Sequence, residues 1–290
     1  MSDLNSPTAA TTAPVTGYAA VNGLRMYYEI HGAQPDNDPV PVLLLHGAYM
    51  TTADFGPLLS GLALQRQVVV CDLHGHGRTS HAERPITYEG MADDAAALLE
   101  HLGIAQVDVV GFSMGAGVAI QLAVRHPQLV RSLVSISAGY RSDGMQPELL
   151  EMIPTITPEM FAGTPFEDTY RRVAPDPDAF PTLVTKLKTL DETPFAWPAE
   201  DITGIAAPSL LIVGDADAVR LEHAVEMFRL LGGGAMGDMA GLSRVRLAVL
   251  PGTTHFMPPG SGILDRADSL LAMIPTFLDG VRSQQQDERP

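Results

Sequence analysis

The sequence predicts an α/β fold, a mostly parallel sheet flanked by helices. Three observations predict it. Short apolar runs of strand length alternate with longer stretches of helical spacing along most of the chain. An Asn22-Gly23 pair joins two such runs near the start, a strong hairpin signal. One strand-to-helix junction, Gly111-Phe112-Ser113-Met114-Gly115, has glycines two positions either side of a serine, where only small residues fit a very sharp turn.

The elements follow in order. Tyr18–Val21 and Leu24–Ile30 form the antiparallel pair around Asn22-Gly23. Val42–Leu45, Val68–Cys71, Val107–Gly111, Leu133–Ser137, Leu210–Val213 and Leu247–Leu250 are short, continuously apolar runs, as parallel strands buried on both faces require. Gly90–His101, Met114–His126, Glu222–Leu231 and Arg266–Asp279 have helical spacing, and Pro127 stops the second of these. Gly232–Asp238 is expected to be a flexible loop. Tyr140–Glu200 breaks the rhythm: aromatic residues and methionines are interleaved with nine prolines, and no strand pattern appears.

The chemistry centres on Ser113. A serine hydroxyl is a poor nucleophile near neutral pH, so it needs a base, and the base needs an orienting acid. Downstream, Pro208–Val213 ends in the acidic loop Gly214-Asp215-Ala216-Asp217. Val245–Leu250 is followed by His255. Upstream, Val42–Leu45 runs into His46-Gly47-Ala48-Tyr49, a loop able to offer a backbone N–H to an oxyanion. In these segments the chain resembles the α/β-hydrolase family of serine hydrolases, over roughly residues 17 to 280. Asp72-Leu73-His74-Gly75-His76-Gly77-Arg78-Thr79-Ser80 looks like that family's turn after the fourth strand.

The resemblance implies a mostly parallel eight-stranded sheet with a helical cap inserted after strand six. The cap would be residues 140–200, and the core 17–139 and 201–281. It implies a Ser113–His255–Asp217 triad. Asp215 competes with Asp217, but the Gly-x-x-Asp pattern selects Asp217; Asp143 is a third acid, because some relatives take theirs after the sixth strand. The oxyanion hole would use the N–H of Met114 and that of Ala48 or Tyr49. Tyr49 and Trp197 are the expected substrate-binding side chains.

Other residues have structural readings. Among nine histidines, His255 alone follows the last strand, whereas His46, His74 and His76 belong to turns. His74, His76 and His81 have no carboxylate or thiol at ligand spacing, so no metal and no cofactor is expected. Cys71 reads as a small buried residue and, standing alone, cannot form an internal disulfide. A net charge of −16 argues against nucleic acid, which is bound through Lys and Arg. No apolar run is long enough to span a bilayer. Residues 1–16 read as a disordered leader without signal-peptide character, 282–290 as a disordered tail, and the expected location is cytoplasmic. The expected partner is a small-molecule apolar ester, cleaved by acyl transfer. Lactonase, carbon–carbon hydrolase or cofactor-free perhydrolase chemistry on the same triad is one alternative, and a ligand receptor retaining the triad is another.

Overall fold

The computed structural model describes residues 13–35 and 40–287. Among them, eight strands form one sheet: β1 (Val15–Val21), β2 (Leu24–His31), β3 (Val42–Leu45), β4 (Val68–Cys71), β5 (Val107–Phe112), β6 (Val130–Ile136), β7 (Ser209–Ala216) and β8 (Val245–Thr254). Their spatial order is β1-β2-β4-β3-β5-β6-β7-β8. Strand β2 runs antiparallel to both neighbours, and the six strands β3 to β8 pair in parallel. The helices are α1 (Gly56–Ala63), α2 (Tyr88–His101), α3 (Met114–Arg125), α4 (Pro147–Met152), α5 (Pro165–Val173), α6 (Phe180–Glu192), α7 (Ala199–Thr203), α8 (Leu221–Leu230), α9 (Gly237–Ala240) and α10 (Ala267–Asp287).

The continuous apolar runs are explained by two hydrophobic layers. Successive side chains of a strand point to opposite faces. Leu43, Leu45, Val69, Cys71 and Val109 join one layer with α2, α3 and α8. Val42, Leu44, Val68, Val70 and Val110 join the other with α1 and α10. Both layers are buried and mostly apolar, so a polar residue on either face needs a hydrogen-bond partner. Each fully buried Val or Leu contributes about 1.5–3 kcal/mol.

One polar cluster lies inside the sheet. Asp108 on β5 is fully buried and accepts hydrogen bonds from the equally buried Arg131 and from Ser132 on β6. The Asp108–Ser132 pairing fixes the register of the two strands on which the central turn is built.

Several strands and helices run a few residues beyond or short of the expected bounds, and four differences bear on the ends of the fold, the Gly-rich loop and the cap. The leader was expected to reach Thr16, but Val15 and Thr16 extend β1 by pairing with Ile30 and Glu29. Their side chains are exposed, so no apolar signal marks them; residues 1–12 lie outside the described residues. The tail was expected from residue 282, but α10 continues to Asp287 because Arg and Gln are good helix formers on a helix already anchored by Phe277 and Val281. Residues 288–290 lie outside the described residues. The loop expected at Gly232–Asp238 ends in the single turn α9. The expected cap boundary at Glu200 falls inside α7, whose Ile202 is buried in the first layer.

Replacing Asp108 by Ala would leave the Arg131 guanidinium buried without its carboxylate. Chemical denaturation of Asp108→Ala is expected to show a loss of about 3–5 kcal/mol. A loss below 1 kcal/mol would mean that water reaches this part of the sheet.

Candidate active site

The turn between β5 and α3 is shaped by what its glycines lack. A Cβ on Gly111 would lie 2.3 Å from the Gly115 carbonyl oxygen, and one on Gly115 would lie 2.2 Å from that of Leu45. Neither atom fits, so α3 starts closer to the sheet than any other residue type allows. Ser113 between them is forced to φ 54°, ψ −121°, a region that costs a non-glycine residue on the order of 1–3 kcal/mol. Its backbone is held there: the N–H donates to the Ile136 carbonyl at 2.8 Å, and the carbonyl accepts from Ala116 and Gly117.

Strand ends then bring the partners in. Ser113 Oγ lies 2.9 Å from His255 Nε2, and His255 Nδ1 lies 2.8 Å from Asp217 Oδ1. Asp217 is buried. Burial pushes its carboxyl up, but hydrogen bonds from His255, from the Ser137 hydroxyl (2.5 Å) and from the Gly214 N–H (3.0 Å) outweigh that and hold it below its usual value. It therefore stays a carboxylate throughout the neutral range. Ser137, just after β6 with φ 57°, is absent from the residues singled out in the sequence. A lone serine after an apolar run carries no motif, and its contact with Asp217 spans 80 residues.

The competing residues lie elsewhere. Asp215 is exposed, and one of its carboxylate oxygens accepts the Thr253 N–H at 3.0 Å, bracing the β7 and β8 ends. Asp143 pairs with Arg141 at 2.7 Å. His46 accepts the Leu73 N–H and donates to the Gly47 carbonyl. His76 accepts the Tyr49 N–H at 3.2 Å and donates to the His74 carbonyl. Burial lowers the pKa of all three turn histidines, that of His74 to about 3, so they remain neutral hydrogen-bonding groups. Among the described residues, no cluster of three or more His, Cys, Asp or Glu is placed to hold a metal ion.

The loop after β3 adds backbone donors. Tyr49 has φ 64°, and its N–H is taken by His76. Among the described residues, the N–H groups of Ala48 and Met114 have no acceptor. Both residues line a cavity of about 610 Å³ together with Ser113, Asp217 and His255. Much of its remaining wall is apolar and comes from between β6 and β7, including Leu149, Ile153, Ile156, Phe161, Phe166 and Phe195. Tyr49 also lines it, its ring 4.5 Å from that of Phe161. Trp197, expected beside it, does not line the cavity: it packs behind Phe195 and Tyr88, and its indole N–H donates to Glu89 at 3.2 Å. An aromatic-rich segment must also fill its own interior, and composition does not tell which ring does so.

Besides Asp217 and His255, two acidic residues interrupt the apolar wall, the exposed Glu148 on α4 and Asp191. Asp191, in the last turn of α6, borders the cavity, and burial alone pushes its carboxyl up to about 7.

The sequence profile of the alpha/beta hydrolase fold family matches residues 40–219. A putative carbamate hydrolase of Azorhizobium caulinodans is 33% identical over 127 residues, 44% of this chain and 46% of that one. A putative esterase/lipase of Haemophilus influenzae is 30% identical over 110 residues, 38% of each chain. These matches span less than half the length of the curated relatives. Among solved structures, an enol-lactonase from Burkholderia xenovorans superposes with a TM-score of 0.63 at 20% identity, covering 90% of this chain and 99% of that one. A thermophilic esterase from Thermogutta terrifontis gives 0.66 at 22%, covering 93% and 100%. At such identity the superpositions establish the fold.

Asp191 makes stability depend on pH with a definite sign. The native carboxyl keeps its proton to about 7, whereas the unfolded one releases it near ~4. Between those values the native state binds more protons, so this group's contribution to stability falls as pH rises. Scanning calorimetry of Asp191→Asn should show a melting temperature that gains on the wild type from about pH 4 to about pH 7 and levels off by about pH 8. A difference independent of pH would show that Asp191 ionises normally.

Proposed function

The chain belongs to the α/β-hydrolase fold family, and on that premise we propose that it is a serine hydrolase cleaving a small to medium apolar carboxylic ester through an acyl-enzyme intermediate. The observation that carries this reading is the hydrogen-bonded chain Ser113–His255–Asp217 opening on an apolar cavity beside two unengaged N–H groups.

His255 Nε2 takes the Ser113 proton as Oγ attacks the ester carbonyl carbon. The imidazolium that forms is stabilised by the Asp217 carboxylate, itself fixed by Ser137 and Gly214. The carbonyl oxygen becomes an oxyanion and is met by the N–H groups of Met114 and Ala48. Ala48 is preferred to Tyr49 because the Tyr49 hydrogen is committed to His76. Collapse of the tetrahedral intermediate breaks the bond to the alcohol, whose oxygen takes the proton from His255. Water, deprotonated by His255, then attacks the acyl-enzyme carbonyl; the bond to Ser113 Oγ breaks, Oγ takes the proton back from His255, and the acid is released. The segment 140–200 serves as the cap: its helices supply the apolar wall that excludes water and selects an apolar substrate.

Two variants separate the acids. With a p-nitrophenyl ester, Asp217→Asn is expected to lower kcat by roughly 10³–10⁴, because His255 loses its orienting partner, whereas Asp215→Asn stays within about tenfold of wild type. A fluorophosphonate should label Ser113, and Ser113→Ala should abolish labelling. Equal losses in the two Asp variants, or labelling that survives Ser113→Ala, would overturn the assignment.

A further inference from the structure

Two acidic side chains that the mechanism leaves unused, Asp191 and the solvent-exposed Glu148, interrupt the apolar wall of the cavity. Asp191 lies where the main cavity meets a second one of about 550 Å³; both are lined by Ser142, Leu150, Ile153, Asp191 and Phe195. Among the described residues its carboxylate has neither an ion pair nor a hydrogen-bond donor. The basic residue that borders the second cavity, Arg141, is already engaged by Asp143 at 2.7 Å and Glu226 at 2.9 Å. A second polar atom shares this want of a partner. The hydroxyl of Tyr49 is buried and has no hydrogen-bond partner among the described residues; burial raises the pKa of the Tyr49 and Tyr88 phenols, and the nearby Asp191 charge adds a smaller rise.

A carboxylate and a phenol oxygen facing an apolar cavity need a donor. We propose that Asp191, with the Tyr49 hydroxyl, receives a primary ammonium group at one end of the substrate, so that the esters taken by this site are apolar over most of their length and carry a terminal amine. The inference rests on the hydrolase reading for its chemistry at Ser113, but not for the binding itself. An ammonium presents three N–H donors and the charge that Asp191 lacks. A neutral hydroxyl would satisfy one lone pair and leave the charge uncompensated, and a hydrogen bond between ions is roughly twice as strong as one between neutral groups. A metal ion is disfavoured, since one carboxylate and one phenol are too few ligands. The chain's net charge of −16 also draws cations towards its surface. Burial raises the Asp191 carboxyl to about 7, and an adjacent ammonium would favour its ionised form.

The test is calorimetric binding of n-hexylammonium and of 1-hexanol to the full chain at pH 8, which compares two probes of equal length and needs no turnover. Hexylammonium is expected to bind about tenfold more tightly than hexanol. In Asp191→Asn the two should come within about twofold, while Ser113→Ala should keep the wild-type preference. Asp191→Ser repeats the comparison if the Asn variant does not fold. Hexanol binding as tightly as hexylammonium to the wild type, or a preference that persists in a folded Asp191 variant, would overturn the proposal. Failure of the hydrolase reading shows up separately, as absence of fluorophosphonate labelling at Ser113, and leaves the binding comparison intact.

Discussion

The approach of α3 to the sheet is the constraint on which the rest of the site depends. With no side chain at Gly111 or Gly115, the first turn of the helix comes against the carbonyl of Leu45 at the end of β3. That contact does three things together. It turns Ser113 into a left-handed conformation, with its side chain at the sheet edge. It brings the helix N-terminus, and so the Met114 N–H, beside the loop that carries Ala48. It fixes the distance that His255, at the end of β8, has to span. Because strands β3 to β8 are parallel, their C-terminal ends lie along one edge, and residues far apart in sequence converge there. The strain at Ser113 is held by backbone hydrogen bonds on both sides and by the two buried layers beneath.

Around that turn, charge is sorted by burial and by hydrogen bonds. The histidines of the two turns next to the site are kept neutral by desolvation, and each has a backbone N–H to accept. Asp217, also buried, goes the other way because four donors converge on it. Asp191 is half-buried without donors, and desolvation drives its carboxyl towards neutrality. Asp217 and Asp191, which line the same cavity, thus differ in character because donors and the His255 ring meet one and not the other.

Much of this was legible in the chain. The apolar runs located the parallel strands, clearest for β3 and β4, which are buried on both faces, and Asn22-Gly23 located the β1–β2 pair. Ser113, Asp217 and His255 were legible because each sits just past the end of such a run. The ends of the fold were less so. Val15 and Thr16 join β1 through backbone pairing that leaves no trace in side-chain type. Orientation was not legible either: Trp197 and Phe195 look alike as members of an aromatic-rich segment, yet only Phe195 faces the cavity. Nor was the choice between Ala48 and Tyr49, which turns on a hydrogen bond to His76 across 27 residues. Ser137 and Asp191 carry no motif, and their place follows only from which elements pack together.

The central claim is that Ser113 carries the acyl group during turnover. An aryl pivalate, whose bulk slows attack by water, should give a burst of one phenol per protein molecule. Rapid acid quench and mass spectrometry should then find one pivaloyl group on the peptide containing Ser113. Steady hydrolysis of the same ester with no burst and no acyl group on Ser113, or with the acyl group on another residue, would contradict the account.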